Sequence, residues 1–329
     1  MISDVSVVVC AHDDRRWNVL REALTSLENQ TLPPREIIVV IDHNPALLQR
    51  AARELRNATV VDNSEERGLG GARNAGTKAS AGSIVAFLDD DAIASPDWLR
   101  LLRSGYEDPD VAGVGGSAEP IWERGRPRWF PPEFDWVVGC TFRGAPETPT
   151  AVRNFFGCNM SYRRAILLEL GLFRLGYGCD ETEFCIRLGQ RWPERRLLFI
   201  PEAKIFHHVP ADRAGFRRYL SRCYFEGGSK AVVSRLVGAR DGLAAERSYT
   251  AQILPRALAR DVRHAVSRGD SSGLGRAAAI VAGLGATTAG YLGGRIAPTP
   301  AARKRGWQGP PLRFRQDRTT ATVPFEGER

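Results

Sequence analysis

Three short, continuous apolar runs stand out early in the chain: Val5 to Cys10 (VSVVVC), Glu36 to Asp42 (EIIVVID) and Ser83 to Leu88 (SIVAFL). Each is rich in β-branched residues and too short for a stable helix, which predicts strands buried on both faces. Between them lie helical patterns. Leu20, Leu24 and Leu27 repeat at i, i+4, i+7 and stop before Pro33-Pro34; Leu47 to Leu55 reads as a second helix, and Arg73 to Ala79 as a third after the turn of Gly68, Gly70 and Gly71, with Val60-Val61 a short strand before that turn. Strands alternating with helices predict a parallel sheet covered on both faces, with ligands at the carboxyl ends of its strands. At those ends the chain places His12-Asp13, Asp42 and Asp89-Asp90-Asp91.

Farther along, a helix follows Pro96-Asp97-Trp98-Leu99, and Val111 to Val114 reads as a strand. The aromatic, proline-interrupted stretch from Trp122 to Trp136 reads as an extended connection. Phe155 to Tyr162 leads into a helix through Leu170, Asp180 to Leu188 is a helix with an acidic start, and Arg196 to Ile200 and Ala203 to Phe206 are strand segments before His207-His208. Helices over 213–237 and 246–266 are basic. The 32 residues of 298–329 contain five prolines and no periodicity, and are expected to be disordered. Ala277 to Gly294 is a run of 18 uncharged residues. As a helix of about 27 Å it could lie on a membrane, pack on the core or cross a bilayer, and its five glycines and two threonines argue against the last.

Composition adds exclusions. With 329 residues, 43% hydrophobic and 26% charged, the chain is neither collagen-like, low-complexity nor a disulfide scaffold. The six cysteines form no CxxC pair, and no basic segment followed by an apolar one opens the chain, so reduced thiols in a cytosolic protein are expected. The net charge of +8 divides unevenly: residues 1–211 carry 25 Lys/Arg against 29 Asp/Glu, residues 212–329 carry 21 against 9. The second part is therefore expected to meet an anionic surface, nucleic acid or acidic lipid. Three regions follow: a catalytic domain over 1–211, a basic helical extension over 212–297 and the tail.

Asp89-Asp90-Asp91 crowds carboxylates at a strand end, where a hard divalent cation would neutralise them; a solvated acidic turn is the bland alternative. Asp180-Glu181, with Glu183 behind, follows Gly176-Tyr177-Gly178 and opens a helix. A carboxylate there could act as a general base, or simply favour the helix N-terminus. His207-His208 could ligate a metal or sit on the surface, and Arg73 could meet a phosphate or a nearby aspartate. Walker A, GxGxxG and HExxH patterns are absent.

The order VVVCAHDD, EIIVVID, GLGGARNAGTKASAGSIVAFLDDDAIASPDWL, FFGCNMSYRR…GLF, DETEFCIRL, IFHH resembles the family 2 glycosyltransferases over about residues 3–230. The resemblance implies the GT-A fold, a Rossmann-like, mostly parallel α/β sheet flanked by helices, here with a basic helical C-terminal extension. It implies an inverting transfer of sugar from a nucleotide-diphosphate-sugar to an acceptor hydroxyl, in cell-envelope glycan or glycolipid synthesis, with Mn²⁺ or Mg²⁺. By position, Ala11, Asp13 and Asp42 match the base and ribose site, and Arg73 and Asn74 the RN pair near the nucleotide. Asp91 and Asp89 match the metal-binding ends of the DxD motif, with Asp89 or Asp90 nearer the ribose. His207 or His208 matches the residue completing the metal site, and Gly157, Cys158 and Asn159 the segment lining the sugar pocket. The family's ED motif puts the catalytic base at its second acid, Glu181; the order here is Asp-Glu, so Asp180 stays open, and the first loop reads Ala11-His12-Asp13 in place of TYN.

Acceptors on lipid carriers and an anionic membrane at the inner face of the cell fit the bases Arg217, Arg218, Arg222 and Lys230 with Tyr219, Tyr224 and Phe225, where a solvated helical face is the alternative. The aromatics of 122–136 could stack on sugars or fill the core. A nucleic-acid partner is not expected, since the strands end in acids. The rival readings are a nucleic-acid-binding protein using the basic region and a non-catalytic module of the same fold.

Overall fold

A computed structural model describes residues 3–296 apart from 177 and 270; the expected disordered tail lies outside the described residues. Nine strands form one sheet. The apolar runs become β1 (Val5–Ala11), β2 (Glu36–Ile41) and β4 (Ile84–Asp89), and β3 (Thr59–Asp62) joins them in the order β3-β2-β1-β4, all parallel. The register pairs Cys10 with both Val40 and Asp89, so the strands end level and their following loops share one rim.

Alternate residues supply the two faces, as strand geometry requires. Val7, Val9, Val39 and Ile41 pack with Leu20, Leu24 and Leu27 of α1 (Trp17–Glu28) and with Leu47 of α2 (Pro45–Glu54). Val8, Ile38, Val40 and Phe87 pack with Ala72 and Ala75 of α3 (Leu69–Ala79) on the other side. Gly76 lets α3 close onto the sheet, since a Cβ there would fall 2.4 Å from Val8 Cγ1.

Past β4 the parallel pattern gives way to a mixed half. β5 (Ala92–Ala94) is followed by α4 (Trp98–Ser104) and by β6 (Val111–Trp122), which is longer than its apolar core predicts. β7 (Thr150–Ala151), β8 (Asn159–Arg163) and α5 (Arg164–Glu169) come next, then α6 (Asp180–Arg191) and β9 (Arg196–Val209). β8 is antiparallel to β4 and β6, β9 is parallel to β6, and β5 and β7 are antiparallel to β9. The two expected late segments are one strand: β9 runs through Pro201, where the β6 register shifts between Gly116 and Ala118. Proline donates no ladder hydrogen bond, so such an irregularity is where it is tolerated.

The C-terminal part is helical: α7 (Phe216–Val237), the short α8 (Ala239–Gly242) and α9 (Ala244–Ser248), then α10 (Leu254–Arg268) and α11 (Ser271–Ile296). Leu254, Ala257, Ala279 and Ile280 join the core built by β1 and α1. The 122–136 stretch is not an extended connection. Phe130 and Phe134 are fully buried, a short helix covers Pro132–Val138, and Trp129, Phe130 and Phe134 pack against Tyr219 of α7. These rings seat the helical extension. Two residues expected at a membrane surface are also internal: Tyr219 is buried and donates to Ala279 O, and Lys230 is ion-paired to Glu246 at 2.9 Å.

Candidate active site

The sheet assembles the acidic rim. β4 ends in Asp89, β5 begins at Ala92, and the β5–β9 pairing of Ala92 with His207 carries a histidine back over the acids. His207 Nε2 lies 3.0 Å from Asp91 Oδ1 and 3.9 Å from Asp89 Oδ2. Ligand atoms of the three lie within 4.8 Å of one another. Side chains alternate along a strand, so His208 points the other way, 3.4 Å from Glu22 of α1, and is not part of the cluster.

Two arginines complete the charge balance, and the sequence reading missed both. Arg16, in the loop after β1, pairs with Asp90 at 2.6 Å and contacts Asp91; Arg213, after β9, lies 3.5 Å from Asp91. Both follow carboxyl ends of strands, the rule that flagged the acids. Asp90 is buried and held by Arg16, not open to a ribose, and burial raises its pKa. Asp90 Oδ2 and His207 Nδ1 are buried without a hydrogen-bond partner among the described residues, whereas Asp91 Oδ2 faces the Arg16 and Arg213 guanidiniums.

Arg73 ties this cluster to α6. Buried in the first turns of α3, it donates to Gly157 O at 2.7 Å and lies 3.6 Å from Asp89 and 3.5 Å from Asp180. Burial alone would lower its pKa, but the charges of Asp180, Asp89 and Glu181 raise it, so it stays a guanidinium. Gly157 is needed at this spot: a Cβ would lie 3.1 Å from Arg73 Nη2 and 3.5 Å from the Glu181 side chain. Gly70 has a similar role, since a Cβ there would fall 2.9 Å from Asp180 Oδ2.

The adjacent acids of α6 differ. Asp180 faces Arg73, whereas Glu181 forms no ion pair among the described residues and accepts from Thr182 Oγ1 at 3.3 Å. Burial, and then the negative charge of Asp180, push Glu181 up to about 7. Glu183, by contrast, is fully buried between Arg174 and Arg187 and supports the helix. A network also unannounced by spacing anchors the start of α6 on α7. Cys179 donates to Glu226 at 3.4 Å, Lys230 bridges Glu226 and Glu246, and Arg153 forks onto Glu246. Against the effect of burial, Lys230 and Arg153 hold Glu246 down at about 2.

Other expected ligand residues serve the scaffold. Asn159 is fully buried; its Oδ1 accepts from Trp98 Nε1 and its Nδ2 donates to Ser117 O and Ala203 O, each at 2.8 Å, so it pins β8 to the irregular β6–β9 junction and has no group left for a sugar. Asn74 exchanges two hydrogen bonds with the backbone of Phe173 and fixes the segment before α6. Where β1 and β2 end, Asp42 accepts from Asn63 Nδ2 at 2.6 Å and from the Gly68 N–H at 3.0 Å, and Ala11 O accepts from the Asp42 N–H; Cys158 is buried beside Gly139 O. Asp13 caps its own loop, and hydrogen bonds from Arg15 hold it down at about 2.

The model of the family described as glycosyl transferase family 2 matches residues 6–171, half of the chain. The chain belongs to this family. The family 2 glycosyltransferase is 34% identical over 244 residues to the glucosyl-dolichyl phosphate glucuronosyltransferase of Haloferax volcanii, covering 70% of this chain and 78% of the relative. It is 28% identical over 236 residues to the succinoglycan biosynthesis protein ExoM of Rhizobium meliloti, covering 68% and 72%. Among solved structures it resembles the mannosyltransferase PcManGT from Pyrobaculum calidifontis in complex with GDP-Man and Mn²⁺, with TM-score 0.54 and 19% identity over 86% of each chain. It also resembles GalNAc-T7 with UDP, GalNAc and Mn²⁺, with TM-score 0.51 and 17% identity over 80% of this chain and 57% of the other. These likenesses give the enzyme the GT-A fold, with its C-terminal helices as an extension.

Proposed function

We propose that this family 2 glycosyltransferase moves a sugar from a nucleotide diphosphate onto a hydroxyl of a lipid-phosphate-linked acceptor, with inversion and with Glu181 as the base. The observation that carries the reading is the pair of unlike acids at the start of α6. Asp180 is neutralised by Arg73, while Glu181 is left with a proton affinity matched to neutral pH, across Gly157 from the Asp89 end of the acidic cluster. The acceptor class is supported by the relative whose name joins glucuronosyl transfer to glucosyl-dolichyl phosphate.

Asp89, Asp91 and His207 suit Mn²⁺ or Mg²⁺ in donor type, two hard carboxylates and an imidazole whose ligand atoms lie within 4.8 Å of one another. When bound, such an ion would neutralise charge on the departing nucleotide diphosphate. Around it, Arg16 and Arg213 are free to turn from the aspartates to donor phosphate oxygens, since each is partly exposed. Asp42 and the Gly68 N–H are suited to the nucleoside end. Glu181 takes the proton of the acceptor hydroxyl, which attacks the anomeric carbon from the face opposite the nucleotide.

The test is a screen of nucleotide sugars for thermal stabilisation and transfer, with and without Mn²⁺, on the wild type and Asp91→Ala. One nucleotide sugar is expected to stabilise the wild type in a metal-dependent way, and Asp91→Ala to lose that stabilisation along with transfer. Full transfer by Asp91→Ala would sink the assignment of the cluster.

A further inference from the structure

Large exposed apolar side chains gather on one part of the molecule: among the described residues, all but Leu69, Ile121 and Leu168 lie on α7, α10 and α11. On α11 the exposed positions repeat with helical spacing. Leu274, Ala278, Val281, Gly285, Thr288 and Leu292 form a stripe along nearly the whole helix, and none is charged.

The opposite side of α11 is sealed. A Cβ at Gly227 of α7 would fall 1.9 Å from Thr287 O, and one at Gly290 would fall 1.9 Å from Tyr224 O. The Tyr219 hydroxyl donates to Ala279 O, and Arg235 donates to Gly294 O at 2.6 Å. Contacts that advance together along both helices mean that α7 and α11 run parallel, backbone against backbone. A helix held this way to one bearing Arg222, Glu226 and Lys230 cannot be surrounded by hydrocarbon, so α11 does not cross a bilayer while this fold persists.

α10 widens the stripe into a face. It packs antiparallel to α11, with Asp261 O and Ala265 against Gly273. One position on from each contact, about 100° round the helix, come the exposed Val262 and Val266, on the same side as the stripe. The margin is basic, with Arg256, Arg263 and Arg295 exposed. Residues 212–296 carry 14 Lys/Arg against 6 Asp/Glu; Glu226, Glu246 and Asp261 pair internally with Lys230, Arg260 and Arg276, which leaves the excess of eight bases unchanged.

We infer that α10 and α11 lie flat on an anionic lipid bilayer, the uncharged face entering the headgroup boundary and the arginines meeting lipid phosphates. Apolar area gives the affinity and charge complementarity selects the lipid. The inference stands on this face alone and holds whether or not the acceptor is lipid-linked.

The experiment is flotation of the full chain with vesicles of phosphatidylcholine alone or mixed with phosphatidylglycerol, at low and high salt, with inorganic phosphate as a soluble competitor. The wild type should float with the anionic vesicles, bind neutral ones about tenfold more weakly or less, and lose binding in salt but not to phosphate at matched ionic strength. The double variant V281E/L292E should lose about tenfold or more in vesicle affinity with its melting temperature unchanged, and A278L should gain. Failure of the wild type to float overturns the proposal, as does equal flotation of the double variant. A dimer that the double variant dissolves assigns the face to a second copy, and vesicle binding that appears only after residues 297–329 are deleted assigns it to that segment; either result also overturns it.

Discussion

Glu181→Gln tests catalysis and energetics together, because the property that suits Glu181 for a base also destabilises the fold. Its pKa rises from 4.5 to about 7, chiefly through burial and then through the charge of Asp180. Folded protein therefore holds this proton more tightly than unfolded chain. Below about pH 4.5 both states are protonated and the site costs nothing. As pH rises toward 7 stability falls, and above 7 the buried charge costs about 3 kcal/mol, at about 1.4 kcal/mol per pKa unit. Glutamine has the same shape, can still accept from Thr182 Oγ1, and carries no charge at any pH. At about 2 °C per kcal/mol for a chain of this size, it should melt about 6 °C above wild type at pH 8, with the difference vanishing toward pH 4.5. Transfer should fall by about 10²- to 10⁴-fold while nucleotide-sugar binding survives. Melting curves across pH and single-turnover transfer read both effects. A melting difference that is the same at pH 5 and pH 8 would refute the charge argument, and retained turnover would refute the base.

Three further substitutions separate roles within the site. Asp180→Asn removes the negative neighbour that raises Glu181, so the acid limb of the rate profile should move to lower pH; loss of transfer at every pH, with donor binding intact, would instead make Asp180 the base. Asn159→Ala leaves Trp98 Nε1, Ser117 O and Ala203 O without their partner and should lower stability by about 3 kcal/mol, measured by denaturant titration, with the donor KM unchanged. A higher KM at unchanged stability would return Asn159 to the sugar pocket. Gly157→Ala crowds the Arg73 guanidinium and should cut kcat by about tenfold or more with little change in melting temperature, since the new methyl displaces Arg73 and not the core; an unchanged kcat counts against the close approach.

The parallel half of the sheet was legible because β1, β2 and β4 are buried on both faces and therefore read as unbroken apolar runs. Their level ends follow from the same pattern, so the acids at those ends could be grouped without coordinates. The mixed half was harder. β9 crosses Pro201, whose effect on pairing depends on a register shift in another strand. Whether Asn159 or Asn74 faces a ligand or a backbone is decided by partners 42 and 99 residues away, Ser117 and Phe173, which no local spacing encodes. The aromatics at 122–136 misled for a related reason: their burial depends on Tyr219 and on helices far along the chain. His207 and His208 were separable in principle, because in a strand only one of two neighbours can share a face with Asp91, but choosing between them needed the pairing of Ala92 with His207.

The charge of the rim follows a rule that neither the acids nor the arginines state alone. Asp89, Asp90, Asp91, Asp180 and Glu181 bring five carboxylates to linked positions, and Arg16, Arg73 and Arg213 bring three guanidiniums. With Glu181 ionised and His207 neutral the cluster is left at −2, the charge a divalent cation matches; with Glu181 protonated it is left at −1. Among the described residues Arg73 is the one cation that reaches both ends, Asp89 at the cluster and Asp180 at the helix. Removing Arg73 would leave Asp180 buried and unpaired beside Glu181 and take away the positive charge that holds Glu181 down, moving the base out of its useful range, so Arg73 belongs to the proton chemistry of the site.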